Sequence, residues 1–214
     1  MTIQRSFRTG LRRLLLASTR FMLAVLAAHA VPAAAATLQV HVADAGGAPI
    51  QDAVIYATPM DGHLPSRAPL GAEIAQRNKT FVPLVSVIQT GAAVKLPNLD
   101  DIAHDVYSLS APKRFELKLY RGVPAHPVVF DKPGLVVLGC NIHDMMVAYL
   151  LVVHTPYFAK TDANGNASLA DLPADRYRVT AWHYRQSDAN ARPEQIVGTS
   201  GHAATTFTLK LNAE

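Results

Sequence analysis

The sequence predicts an all-β protein. Three observations predict it: short runs of alternating or β-branched apolar residues, turn residues between them at close intervals, and little helical periodicity beyond residue 36. With 214 residues, half of them hydrophobic, the chain is long enough to bury a substantial core in one large domain or two small ones.

Residues 1–36 stand apart from the rest. Arg5, Arg8, Arg12 and Arg13 precede an apolar run from Phe21 to Ala28, which gives way to Ala33–Ala36. Basic, apolar and small-residue regions in that order form a secretory signal peptide, with cleavage expected just before Thr37 and a periplasmic or secreted mature chain. Arg20 interrupts the apolar stretch and leaves too short a run for a membrane span, so no stable membrane insertion is expected after cleavage. The Arg12-Arg13 pair matches a twin-arginine export signal only weakly, which leaves the export route open. This leader holds five of the 20 lysines and arginines and no acid, leaving 15 against 16 aspartates and glutamates in residues 37–214. The basic character therefore belongs to the leader, and nucleic acid is not an expected partner.

The strands follow in order. Leu38, Val40 and Val42 alternate with polar residues, Asp44-Ala-Gly-Gly makes a turn, and Ala53-Val-Ile-Tyr-Ala resumes an extended run, a pattern that predicts a hairpin. Residues 61–76, with Gly62, Pro65, Pro69 and Gly71, read as a connector. From Phe81 to Val153 six runs follow one another: Val85-Ser-Val-Ile, Ala93-Val-Lys-Leu, Val106-Tyr-Ser-Leu, Arg114 to Tyr120, Gly134 to Leu138, and Val147 to Val153. Gly91, Asn98, Gly122 and Pro133-Gly134 separate them at the spacing of an antiparallel sandwich. After Pro156 come a turn at Thr161-Asp-Ala-Asn-Gly-Asn, the segment from Leu169 to Pro173, and strands at Tyr177–Trp182 and Thr206–Leu211. Neither this tail nor the run at 38–57 has enough strands to close a core alone, so the two are expected to pair.

Cys140 is the only cysteine, which excludes an intramolecular disulfide. A lone cysteine is most often a small buried hydrophobe, but here Gly139-Cys-Asn-Ile-His-Asp-Met-Met places a thiol, an imidazole and a thioether within seven residues between two strands. A short loop there can turn Cys140, His143 and Met146 toward one point. His104, at the end of another strand region, offers a second imidazole. Two imidazoles, a thiolate and a weak axial thioether make the trigonal type-1 copper set. Zinc sites rarely recruit methionine, which weighs against zinc. Each residue alone has a blander reading, His104 as structural and Met146 as core packing; order and spacing together favour the metal. A Cys-His nucleophile lacks the helix N-terminus that usually lowers the thiol pKa. His41, His63, His126, His154, His183 and His202 are scattered, with surface roles expected.

Phe81-Val-Pro, the positions Gly91, Val94, Asn98, Asp100 and His104, the run Val106-Tyr-Ser-Leu-Ser with Phe115, and Pro133-Gly134 followed by Gly139-Cys-x-x-His-x-x-Met share the order of a known family. Residues 77–153 resemble the cupredoxins of plastocyanin and amicyanin type. The resemblance implies a Greek-key sandwich over residues 77–156 and one type-1 copper ion held by His104, Cys140, His143 and Met146. The short loop is of the amicyanin variety and assigns the axial position to Met146, with Met145 as runner-up. Asp105 departs from the pattern, where the family commonly has Asn. The flanks carry a second resemblance: Val42, Asp44, Gly47, Pro49, Ile50, Ala53 and Val54, with Thr161-Asp, Gly165, Leu169, Leu172-Pro173, Tyr177 and Val179, are similar to a carboxypeptidase-regulatory-like (transthyretin-like) sandwich. This outer sandwich is expected over residues 37–60 and 157–214, with the copper domain inserted. The arrangement resembles exported proteins described as methylamine-utilisation or plastocyanin-like.

The resemblance implies an electron carrier rather than an enzyme, meeting an unknown periplasmic redox protein briefly at the solvent edge of His143. A single cysteine without His-x-His pairs disfavours a multicopper enzyme. Two other functions stay open at this stage: a copper carrier or sensor without electron transfer, and an envelope interaction protein whose copper is incidental.

Overall fold

The structure is a computed structural model that describes residues 35–66, 68–173, 175–200 and 203–213. The expected signal peptide, apart from Ala35 and Ala36, lies outside the described residues, as does His202. Seventeen strands and no helix are found among the described residues, so the all-β expectation holds there.

Strand β1 (Ala36–Asp44) buries Leu38, Val40 and Val42 on one face. It lies between β14 (Asn166–Leu172), antiparallel, and β17 (Ala203–Leu209), parallel. Strand β2 (Val54–Pro59) belongs to another sheet, between β13 (Phe158–Lys160) and β15 (Arg176–Trp182), with β16 (Glu194–Gly198) at the edge. The hairpin expected between the first two runs is therefore absent. Asp44 holds the backbone N–H groups of Gly46 and Ala48 at 2.8 Å, and the chain crosses to the opposite layer. Leu38, Val40 and Val42 can then meet Ile55 and Ala57 in one core with Tyr177, Val179 and Phe207. Two strands of a single sheet would leave these side chains without an opposing layer.

The six runs between Val85 and Val153 all form strands. Strands β6 (Val85–Gln89), β12 (Val147–Val153), β11 (Gly134–Gly139), β8 (His104–Ser108) and β9 (Phe115–Tyr120) form a five-stranded sheet in that spatial order. A second sheet runs β10 (Val128–Phe130), β7 (Ala92–Lys95), β3 (Ala72–Glu73). Between the two lies a core that includes Ile74, Phe81, Phe130, Leu138, Leu150 and Val152. Strands β4 (Ala75–Arg77) and β5 (Thr80–Val82) pair as a small hairpin. The stretch read as a connector thus ends in strand residues from Ala72 onward. Segments of two or three residues, such as β3 and β10, are too short to show a period.

Strand β12 joins two cores. Ala148, Leu150 and Val152 face the five-stranded sheet's own core, while Leu151 and Val153 pack with Val54, Val85 and Trp182 in a seam against the sheet that contains β2. Tyr149 stacks on Tyr184 across this seam, with centroids 4.9 Å apart. Lys160 Nζ donates to Asp52 Oδ1 at 2.6 Å and to the Val85 carbonyl at 2.8 Å, linking the two strand sets.

His183 borders the seam, 4% exposed, contrary to the expected surface role. Its Nδ1 accepts the Arg185 backbone N–H at 3.2 Å, and burial holds its pKa below the ordinary 6.5. The unfolded chain therefore binds the His183 proton at a higher pH than the folded one. Stability is full above about pH 6.5 and declines as pH falls from there through the folded value. Urea midpoints between about pH 7.5 and 5.5 should fall less steeply in His183→Gln than in the parent; parallel curves would remove His183 from the account.

Gly165 tests the turn that β1 leans on. Its φ is +74°, its carbonyl accepts the Val42 N–H at 2.8 Å, and a Cβ there would lie 2.4 Å from the Val42 carbonyl oxygen. Gly165→Ala is expected to cost about 2 kcal/mol or more, from strain plus a backbone clash, read as a lowered denaturant midpoint with an unchanged slope.

Candidate metal centre

Strands β11 and β12 pair over six positions, from Gly134↔Val152 to Gly139↔Val147. Cys140 to Met146 is consequently the loop of a hairpin whose base cannot slip without turning buried faces outward. Inside it the Met146 N–H donates to the His143 carbonyl at 2.9 Å and closes the turn. On the other side of β11, Gly139 pairs with Tyr107 of β8, and a Cβ on Gly139 would lie 2.8 Å from the Tyr107 ring. This close approach brings His104, the first residue of β8, beside the loop.

The structure brings together three of the four sequence-assigned ligands as donors. The donor atoms of His104, Cys140 and His143 all lie within 4.8 Å of one another, with Cys140 Sγ 4.0 Å from His104 Nδ1. Two donors bound to one ion at roughly 2.0–2.3 Å each are separated by at most about 4.6 Å, so the sulfur–nitrogen distance of 4.0 Å suits a shared ion. The His104 and His143 rings meet edge to face, with centroids 5.0 Å apart. Met146 is buried in the same cluster as Cys140. Met145, its rival, is 87% exposed.

His143 Nδ1 is buried and has no hydrogen-bond partner. An imidazole nitrogen left in that state costs roughly 1–3 kcal/mol, and an ion bound there removes the cost. Two imidazoles with a thiol, and a buried thioether in the same hydrophobic cluster as the thiol, are the donor chemistry of a copper or other soft-metal site. The residues therefore fit the group that their sequence pattern implies.

Carboxylates organise two of the donors. Asp105 Oδ1 accepts the Cys140 thiol hydrogen at 3.1 Å and the Asn141 backbone N–H at 2.8 Å, while Oδ2 accepts from Asn141 Nδ2 at 2.6 Å. An Asn at this position has a donor to offer the sulfur; a carboxylate has acceptors only. Asp100 Oδ2 accepts from His104 Nε2 at 2.9 Å. The backbone N–H groups of Lys79 and Asn78 also donate to Asp100, and they hold its carboxyl below the usual carboxylate range together with the His104 bond, the Lys79 contribution being the largest. Asp100 was part of the family pattern in the sequence but had no role assigned. Only the tertiary arrangement reveals that role.

No family model and no curated protein matches the sequence. Among solved structures, the chain is similar to a copper-containing nitrite reductase from Thermus scotoductus (23% identity, 45% of this chain and 25% of that one, TM-score 0.37). The match thus spans about a quarter of that enzyme's length. It is also similar to a purple cupredoxin from Nitrosopumilus maritimus (21% identity, 38% of this chain and 99% of that one, TM-score 0.35). A mutant of amicyanin in the Cu(I) state overlaps 46% of this chain and 99% of its own, at 17% identity and TM-score 0.34. Overlaps of this size carry no argument about the chemistry, which rests on the residues themselves.

Burial separates the two methionines. Met146→Ala should lower the stability of the metal-free protein by about 2–5 kcal/mol, and Met145→Ala should change it by less than about 0.5 kcal/mol, both read from chemical denaturation. Equal effects would contradict the packing described.

Proposed function

We propose that the mature chain is an exported type-1 copper protein that carries single electrons, with His104, Cys140, His143 and Met146 as ligands. The observation that carries this reading is the His104, Cys140 and His143 donor set with an unpartnered, buried nitrogen on His143. Bound copper would supply one-electron exchange between its Cu(II) and Cu(I) states. The protein's own part is to hold the donors still. The six-register pairing fixes the Cys140 and Met146 ends of the loop, β8 fixes His104, and the Met146 N–H bond fixes the turn at His143. Donors that do not move between oxidation states keep reorganisation small. His143 is half-buried, and Ile142 (51% exposed) and Met145 beside it form an apolar rim suited to brief docking by a periplasmic redox partner.

In this reading residues 77–156 are a cupredoxin domain inserted into a carboxypeptidase-regulatory-like sandwich of residues 37–60 and 157–214. The pairing of β1 and β2 with β13, β14, β15 and β17 supports that division. No helix among the described residues is long and apolar enough to cross a membrane.

Copper-loaded mature protein should show an intense thiolate-to-copper visible band, a type-1 electron-paramagnetic signal and a reversible one-electron wave. Cys140→Ser should abolish the band, since only the thiolate supplies it. A colour without a reversible wave would favour a copper carrier or sensor over an electron carrier, and absence of both would sink the copper reading.

A further inference from the structure

We infer that Asp100 is a positioning residue of the metal centre: its carboxylate sets the tautomer and orientation of His104 and favours a divalent over a monovalent ion there. This rests on the copper reading for the ion, though the tautomer stands on geometry alone. His104 is fully buried, and its Nε2 lies 2.9 Å from Asp100 Oδ2. A carboxylate oxygen accepts, so Nε2 carries the hydrogen, and in a neutral imidazole the lone pair is then on Nδ1. That is the nitrogen 4.0 Å from Cys140 Sγ, whose own hydrogen goes to Asp105.

Asp100 is itself held from several sides. Its Oδ1 accepts the Asn78 N–H at 2.6 Å, its Oδ2 the Lys79 N–H at 2.9 Å, and its backbone N–H donates to Asn98 Oδ1 at 3.0 Å. Asn98 in turn donates from Nδ2 to the carbonyls of Ile102 and Tyr120 at 2.9 and 2.8 Å. Asn78 and Lys79 form the β4–β5 turn with φ of 53° and 58°, a conformation that non-glycine residues seldom adopt. A purely structural role, pinning that turn, is therefore the rival explanation. The Asp100 side chain is 11% exposed and its charge sits one hydrogen bond from the His104 ring. A negative charge on the far side of a ligand ring stabilises Cu(II) more than Cu(I) and lowers the reduction potential.

The experiment uses the mature chain and three variants: Asp100→Asn, Asp100→Glu, and the double change Asn78→Gly with Lys79→Gly, which relaxes the turn and leaves the His104 partner in place. Two readouts are taken, the potential of the copper-loaded protein and the nitrogen NMR shifts of His104 in the metal-free protein. Asp100→Asn is expected to weaken Cu(II) binding about tenfold relative to Cu(I), a rise in potential of about 60 mV for a one-electron couple, and to mix the His104 tautomers. Asp100→Glu should restore part of both, and the glycine pair should change neither. A parent-like potential and tautomer in Asp100→Asn, or a glycine pair that reproduces its shifts, would overturn the inference. If Asp100→Asn does not fold, a parent spectrum with the hydrogen on Nδ1 overturns it equally. A parent chain with no thiolate-to-copper band defeats the copper reading instead, and the metal-free spectrum still decides the tautomer.

Discussion

Strand β12 is buried on both faces, and the metal end of the molecule depends on that double burial. Leu150 and Val152 lie on one side, Leu151 and Val153 on the other. Each side chain of this kind contributes roughly 1.5–3 kcal/mol when removed from water. A register slip by one residue would exchange the two sets and misfit both cores. Pairing with β11 passes this constraint on to Cys140 and Met146, which sit at the ends of the loop between the two strands. The donors are thus located by packing at a distance from them, before any ion contributes.

Hydrogen bonding then decides what those located atoms offer. Buried donors with free lone pairs are unstable arrangements unless their hydrogens are directed elsewhere. Asp105 takes the thiol hydrogen and Asp100 the outer imidazole hydrogen. Both acids sit on or just before β8, so one strand supplies a ligand and the groups that orient two. Tyr120, paired across from His104, has its pKa pushed up to about 12 by burial and stays uncharged near the site.

Long strands and the loop motif were legible in the sequence because each carries a local signal. The run Val147 to Val153 is apolar at nearly every position, which marks a strand covered on both sides. The spacing Cys-x-x-His-x-x-Met marks a chelating loop. The three-residue strand β10 and the crossing of the chain between β1 and β2 carry no such signal. They are decided by which layer needs covering, a property of the whole fold. Asp44-Ala-Gly-Gly reads equally well as a hairpin turn and as a crossing between sheets. Asp100 and His183 were hidden for a related reason. Both are polar residues in turn-rich sequence, and only the tertiary arrangement shows that one binds a buried histidine and that the other is itself buried.

The central positions of β1 and β2 bear on how the molecule responds to being cut. The exposed stretch from Asp61 to Ser66 follows β2, so a protease acting there separates β1 and β2 from everything else. Both strands are interior members of their sheets, β1 held by β14 and β17 and β2 by β13 and β15. The short fragment would have to leave four ladders in two sheets at once, along with the Lys160–Asp52 link. A nicked chain is therefore clasped as one particle, its two pieces behaving as complementary fragments, and the loop that carries Cys140 and Met146 stays on the longer piece with His104.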